Sequence, residues 1–463
     1  MKKIIFIALF VILVAVLPFV GNSVVKNALD TRLKTLMNYG LDFELVQQEK
    51  GYLHTQLEYT ITVSDKQKFV QYLQQFSSHQ LPPYTQSLVD GVVFGLKLRY
   101  NNIPLSEKIS IELYPLKLSK ATMQEIEQNN TELYKLVLKV LKNKAIVYRI
   151  RYAVVTGEFQ GSMKDFDEVL KLEDNQTLQV QFSGVEASGS GMILAPDNLQ
   201  TRIQQFHILL SGVDGNVEIL LKGLYSTSSF ESESTYITSM KLDDLSLRFY
   251  NPTTQDAATI TAKKVSFDTS SNTQGVDAKV YLKTVCDEVM VENKKQNQIY
   301  GVEGFGLDLA ITKLHKPSYL ELLHFFQNYT RGSTLTQEQQ EHIASLLRSI
   351  LLHGIDIQVA NFYTKQLIVA KDKKLDGFRM QHHLVLLPSP MATQQDTLLL
   401  DRLMQHTTID SHVEFSESFY GFINQLYPID LLFGVYKKEK DSHVIFDINY
   451  KNDQLTINQQ VVR

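Results

Sequence analysis

Residues 49–63 read EKGYLHTQLEYTITV. From Gln56 onward Leu57, Tyr59, Ile61 and Val63 share one parity, and Gln56, Glu58, Thr60 and Thr62 take the other. A period of two places successive side chains on opposite faces, so this stretch is expected as a strand with one face on a core and one in water. Gly51 is read as the change of direction between an emerging helix and that strand, with His54 as a strand-entry residue rather than a base.

The same alternation recurs along the chain. FGLKLRY, KISIELY and AIVYRIRYAVV, starting at Phe94, Lys108 and Ala145, each set their large apolar residues on one parity. TLQVQFSGVEASGSGMIL, RIQQFHILLSGVDGNVEILLKG, MKLDDLSLRFYNPTTQDAATITAKKVSF, GVDAKVYLKTVCDEVMVEN and YGVEGFGLDLAITKL continue it, with VDG and NPTT as turn signals. Tight connections predict antiparallel meanders, because parallel crossovers need a dozen or more residues. The expected fold class is α+β, predominantly antiparallel β in long twisted meander sheets, with a helical hairpin and a single N-terminal transmembrane helix.

At 463 residues the chain holds two to four structural units. Twenty-two Tyr and 24 Phe without Trp favour pleated surfaces, where aromatic side chains pack well. A net charge of −4 gives no global reason to expect nucleic acid, whose affinity rests on clustered Lys and Arg. Cys286 is the only cysteine, which excludes an internal disulfide and a cysteine-based zinc site.

Lys2 and Lys3 precede Ile4 to Val25, a run without charge that is long enough to cross a hydrocarbon layer of about 30 Å. The expectation is a retained signal anchor in a bacterial inner membrane, single-pass, N-terminus cytoplasmic and body periplasmic. The rival reading is a signal peptide cleaved after Ser23. A helix over 24–37 follows, with Asn38 and Gly40 as stop signals.

Further helices are expected over 121–141, after Pro317 with Ser318 as cap, from a Thr336 cap to Gly354, and over Ser416 to Pro428. A closing hairpin turns at Asn452 and Asp453. The expected organisation is an anchor and emerging helix at 1–38, an exported β-rich body at 39–300 with one helical insertion near 121–141, and a β-α-α-β region at 301–463 carrying the C-terminal helix and hairpin.

Taken in order, the anchor, VVKNALDTRL, the EKGYLHTQLEYTI step with Lys50, Gly51 and Tyr52, GVEGFGLDLAITKLHKPSYLELLHFFQNY and VIFDINYKNDQLTINQQ resemble the YdgA-like family of bacterial inner-membrane-anchored periplasmic proteins of unknown function. The middle, Asp65 to Lys144, diverges from that pattern, as does the lack of a proline-rich tail. The resemblance implies an address and an architecture, not a reaction.

Candidate chemistry concentrates on the helical hairpin, where Glu321 and His324 stand at i, i+3 and Glu338 and His342 at i, i+4. Such pairs suit a metal only with further convergent ligands, and the plainer reading makes His324 a packing residue and Glu338 and His342 solvated. His382 and His383 are adjacent on a strand and point to opposite faces, so they cannot chelate one ion together. Gly301, Gly304 and Gly306 precede a strand, not a helix, and read as a bulge or a tight strand entry rather than a dinucleotide fingerprint. No cofactor is implied. The expected function is binding or structural, through extended β surfaces that engage an envelope protein or an apolar ligand such as a lipid; the alternative is a hydrolase or metal-dependent enzyme with its site at the helical hairpin. The apolar strand faces either close on a core or stay open as a groove.

Overall fold

A computed structural model describes residues 26–462 apart from 28, 32, 75–84, 103–107, 154–155, 173–175, 193–194, 214, 233, 329–334 and 389–402. Ile4 to Val25, where the membrane span is expected, lies outside the described residues; among those described, no helix is long and apolar enough to cross a membrane. The chain divides into two compact units, Met1–Val213 and Asp214–Arg463. Both are antiparallel meanders.

The first unit opens with helix α1 over 26–37, then β1 (Leu41–Lys50) and β2 (His54–Val63). This corrects the reading of residues 49–63: the chain has already made one strand before Gly51, and Gly51 turns β1 back into β2, which pair from Leu41↔Val63 to Lys50↔Thr55. In LDFELVQQEK the alternation of Leu41, Phe43 and Leu45 with Asp42 and Glu44 ends in the exposed polar run 47–50. Leu29, Leu33 and Leu36 of α1 pack on a core of Leu57, Tyr59, Ile61, Leu96, Leu98 and Tyr100, the inward parity of β2 and of β3 (Val93–Asn101).

β4 (Lys108–Lys117), β5 (Tyr148–Ala153) and β6 (Phe159–Met163) extend the meander. The expected helix over 121–141 is two helices, α4 (Lys120–Asn129) and α5 (Thr131–Lys142). Asn130 between them adopts extended backbone, and its side chain accepts from Leu133 N–H to cap α5. Helices Lys66–Gln74 and Thr85–Val89 fall in the divergent middle, where no periodicity announces them. Tyr114 lies across Gly95, its hydroxyl donating to Glu58 at 2.6 Å and accepting from Lys144 at 2.9 Å, which fastens the end of the helical insertion to the sheet.

The unit ends in three long runs. β7 (Phe166–Lys171) pairs with β8 (Thr177–Ser183) and β6 with β9 (Glu186–Met192) in one continuous register, while β10 (Ala195–Gly212) spans both β8 and β9. The break between the halves falls at Gly184, whose φ is +59° and whose N–H donates to Asp165 at 2.9 Å.

The second unit is built from β11 (Gly215–Ser232), β12 (Thr235–Asn251), β13 (Asp256–Asn272), β14 (Asp277–Asn293), β15 (Gln298–His315), β16 (Ile355–Ala370) and β17 (Lys373–Leu386), each paired with the next. They run 14 to 18 residues, where strands commonly have 3–10. β18 (Thr407–Ser416) and β20 (His443–Lys451) follow in the sheet, with β19 (Lys438–Lys440) and β21 (Gln454–Ile457) beside β20 and β22 (Gln460–Val461) beside β21. The turn at Asn452 and Asp453, both at positive φ, is the one expected.

A crease crosses these strands. The pairing omits Asp243 and Lys264 between β12 and β13, Asp287 and Gly304 between β14 and β15, and Lys365 and Gly377 between β16 and β17. Gly223, Lys264 and Gly304, on alternate strands, take φ of +67°, +48° and +64°. On either side of it the apolar parity switches: Val280 and Leu282 are even, Val289 and Val291 odd; Leu307 and Leu309 are odd, Tyr300 and Val302 even. Each strand loses one step of the pleat at its unpaired residue while the register is kept, so the switch keeps apolar side chains on one face. The GVEGFG glycines lie within β15 rather than before a strand, and at Gly304 the register runs on unshifted, so the expected bulge is instead Gly304's place in this line.

Helices cover only part of that face. α6 (Lys316–Asn328) and α7 (Gln337–His353) close a core of Ala278, Leu314, Ile350, Ile355 and Leu386. α7 carries the expected Thr336 cap, which the structure completes as a capping box with Gln339. α6 starts at Lys316 rather than after a Ser318 cap, and Ser318 instead meets His315 Nδ1 at 2.8 Å. α8 (Glu417–Leu426), capped by Ser416, sets Phe419 and Tyr420 against an aromatic ladder of Phe362, Phe378, Phe415 and Phe446.

Candidate functional site

The helical hairpin brings together part of what its sequence offers. His342 Nε2 lies 3.3 Å from Glu321 Oε1, and both line, with Leu320, His324 and Phe325, an open hollow of about 460 Å³. Glu338, one turn earlier on α7, is not part of that lining. Among the described residues no three His, Cys, Asp or Glu side chains converge to hold a metal ion. Both side chains of the pair are exposed, and His324 is the further polar side chain in the lining.

His382 and His383 take opposite faces, as expected. His382 Nδ1 meets Ser411 Oγ at 2.5 Å, and His383 Nε2 meets Asp356 at 3.0 Å. Burial, then the neighbouring His383, holds the His382 imidazole below its ordinary pKa range. Lys50, Gly51 and Tyr52 form the β1–β2 tip. Asn102 holds it, donating to Gly51 O at 2.7 Å and Tyr52 O at 3.1 Å and accepting from the buried Thr55 hydroxyl at 2.9 Å. Cys286 is consumed structurally, its thiol facing Lys263 O and Glu288 O at the crease.

The largest unassigned feature is the part of the face of β11 to β15, across the crease from α6 and α7, that no described helix covers. Ile219, Leu247, Ile260, Val291 and Tyr300 stand directly opposite one another across five strands, with Val217 and Phe249 in the next row. Val217, Leu247, Phe249, Ile260, Val291 and Tyr300 are 37 to 48 % exposed, and β11, β12 and β13 hold no fully buried apolar side chain among the described residues. With surfaces of about 150–200 Å² each, those six side chains leave on the order of 400 Å² of apolar area open to water, the size of a functional patch. The opposite face carries charge: Lys222, Asp244, Lys263, Glu288 and Glu303 form a row of their own, with Lys263 and Glu288 at 2.7 Å and Lys374 and Glu303 at 2.7 Å. Alternation within each strand was visible in the sequence; the register that merges five strands into one stripe was not, because it is fixed by turn geometry and the crease.

No family model, curated protein or solved structure matches this chain.

Proposed function

We propose that this protein is a binding protein of the bacterial envelope that holds a hydrocarbon chain on the open face of β11 to β15, its body exported and tethered to the inner membrane through Ile4 to Val25. The uncovered apolar stripe supports this most directly. Backbone N–H and C=O groups within the sheet are spent on the strand ladder, so a ligand on its face meets side-chain hydrocarbon alone. A peptide laid there would lose hydrogen bonds to water without replacement, whereas an acyl chain has none to lose. Kinship with the YdgA-like proteins belongs to the same reading, carried by the motifs around Lys50–Tyr52 and 301–328 and by the closing hairpin.

The test is mass spectrometry of the full chain released from its membrane under native conditions. The reading expects co-purified lipid at a defined stoichiometry, lost in Leu247→Lys with Ile260→Lys while the unfolding midpoint stays within a few degrees. Lipid-free protein, or lipid retained by the double variant, would overturn it.

A further inference from the structure

Between α8 and β19 the chain reads LYPIDLLFGVYKKEK, residues 426–440. A one-turn helix, α9 (Ile429–Phe433), and a 3₁₀ turn (Gly434–Tyr436) shape it. Ile429 and Tyr436 point inward and pack on the core of Tyr420, Val444, Phe446 and Ile457. The residues between and before them do the reverse: Leu431 is 83 % exposed, Val435 78 %, Leu432 70 %, Tyr427 69 % and Leu426 59 %. No other stretch of the described chain exposes large apolar side chains so densely.

This is a built projection, not a frayed loop. The Asp430 carboxylate accepts from Tyr420 Oη at 2.6 Å and from Asn424 Nδ2 at 2.9 Å, while Asp430 N–H donates to Asn424 Oδ1 at 2.9 Å. Asn458 Nδ2 donates to Tyr436 O at 2.6 Å and closes the far end. The backbone spends its polar groups internally as well: Tyr427 N–H donates to Ile423 O, Leu431 N–H to Pro428 O and Lys437 N–H to Gly434 O. A projection that enters hydrocarbon must meet this condition, because lipid supplies no hydrogen bonds.

Directly behind the apolar tip come Lys437, Lys438 and Lys440. Glu439 pairs with Lys437 at 3.0 Å, Asp441 lies 4.0 Å from Lys440, and Lys438 enters no described ion pair. Leu, Phe and Val at the tip, Tyr at the rim and lysines behind are the composition of a segment that lies in a lipid interface. A two-fold contact with a second copy would instead set these lysine clusters against each other. We infer that residues 426–435 are a membrane-contacting knob, whose Leu431, Leu432 and Val435 enter the acyl boundary of an anionic lipid surface while Lys437, Lys438 and Lys440 meet headgroup phosphates. This site is separate from the stripe of β11 to β15 and does not rest on its occupancy.

The chain has no Trp, so one introduced Trp reports alone. Leu431→Trp, with Val435→Trp as a second position, is made in the full chain held in nanodiscs of unbrominated lipid. Vesicles of phosphatidylglycerol and phosphatidylethanolamine with brominated acyl chains are then added. The inference expects a blue shift and loss of most Trp emission, weaker with purely zwitterionic vesicles. Val276→Trp, in the exposed turn between β13 and β14, should keep its emission. Unquenched emission at both 431 and 435 would overturn the inference. So would a blue shift without vesicles that rises with protein concentration, which would identify the occupant as a second copy.

Discussion

The crease depends on single residues whose surroundings set different costs. At Gly377 an added Cβ would lie 1.8 Å from Thr364 O, a backbone atom that cannot move without breaking the ladder. At Gly304 the nearest obstacle is the flexible Lys365 side chain, and the left-handed φ of +64° is the main penalty. Gly377→Ala should therefore destabilise by about 2–3 kcal/mol through overpacking. Gly304→Ala should cost only about 1–2 kcal/mol, the strain of an L-residue at that φ. Urea unfolding of the two variants checks the order; equal losses would contradict it. Thr364 tests the other half of the account. Its hydroxyl serves Glu303 O and Gln366 O as Cys286 serves Lys263 O and Glu288 O two strands away. Thr364→Val should cost about 1–3 kcal/mol by leaving buried carbonyls unpaired. Cys286→Ser, which keeps a donor, should be milder than Cys286→Val; the reverse order would mean that the thiol acts by volume alone.

At the scale of elements, the α6–α7 pair is held by an unusual contact. The His315 and His353 rings stack at 3.6 Å, with His315 Nδ1 2.8 Å from Ser318 Oγ and 3.3 Å from Ser349 Oγ. Burial first, then His353, lowers the His315 pKa, while Asp277 opposes. The folded state thus disfavours the proton that the unfolded chain accepts near its ordinary value. This contribution is present above about pH 6.5 and is lost as pH falls below it. Thermal unfolding followed from about pH 7.5 to 5 should show a falling midpoint, with a shallower slope in His315→Gln; an unchanged slope would remove His315 from the account. Element type was legible wherever the pattern was long: the Thr336 cap, the start of the last helix at Ser416 and the turn at Asn452 and Asp453 are where the residues place them. It failed at β1, where the alternation of Leu41, Phe43 and Leu45 with Asp42 and Glu44 ends in a polar run, and over 121–141, where one polar Asn130 splits a helix that periodicity alone would run together. The sequence pairs Glu321 with His324 and Glu338 with His342 along each helix, whereas the contact runs across the hairpin from Glu321 to His342 and helix phase leaves Glu338 out of the hollow.

For the whole molecule the open question is how an uncovered sheet face selects what lies on it. The exposed row from Ile219 to Tyr300 crosses five strands, about 19 Å at about 4.8 Å per strand. That exceeds the half-thickness of about 15 Å of a bilayer core of about 30 Å, so the row matches a fully extended acyl chain of about sixteen carbons. If the chain lies along this row, each added methylene gains up to about 0.8 kcal/mol until the row is filled, and little after that. Affinity for fatty acids of increasing length, measured by calorimetry on the full chain, should therefore rise steeply up to about sixteen carbons and then flatten. Binding should carry the negative heat-capacity change of apolar burial. Ile260→Lys, at the middle of the row, should shorten the preferred chain as well as weaken binding, because it leaves two apolar segments in place of one. A length profile without a break, or one unmoved by Ile260→Lys, would place the hydrocarbon elsewhere.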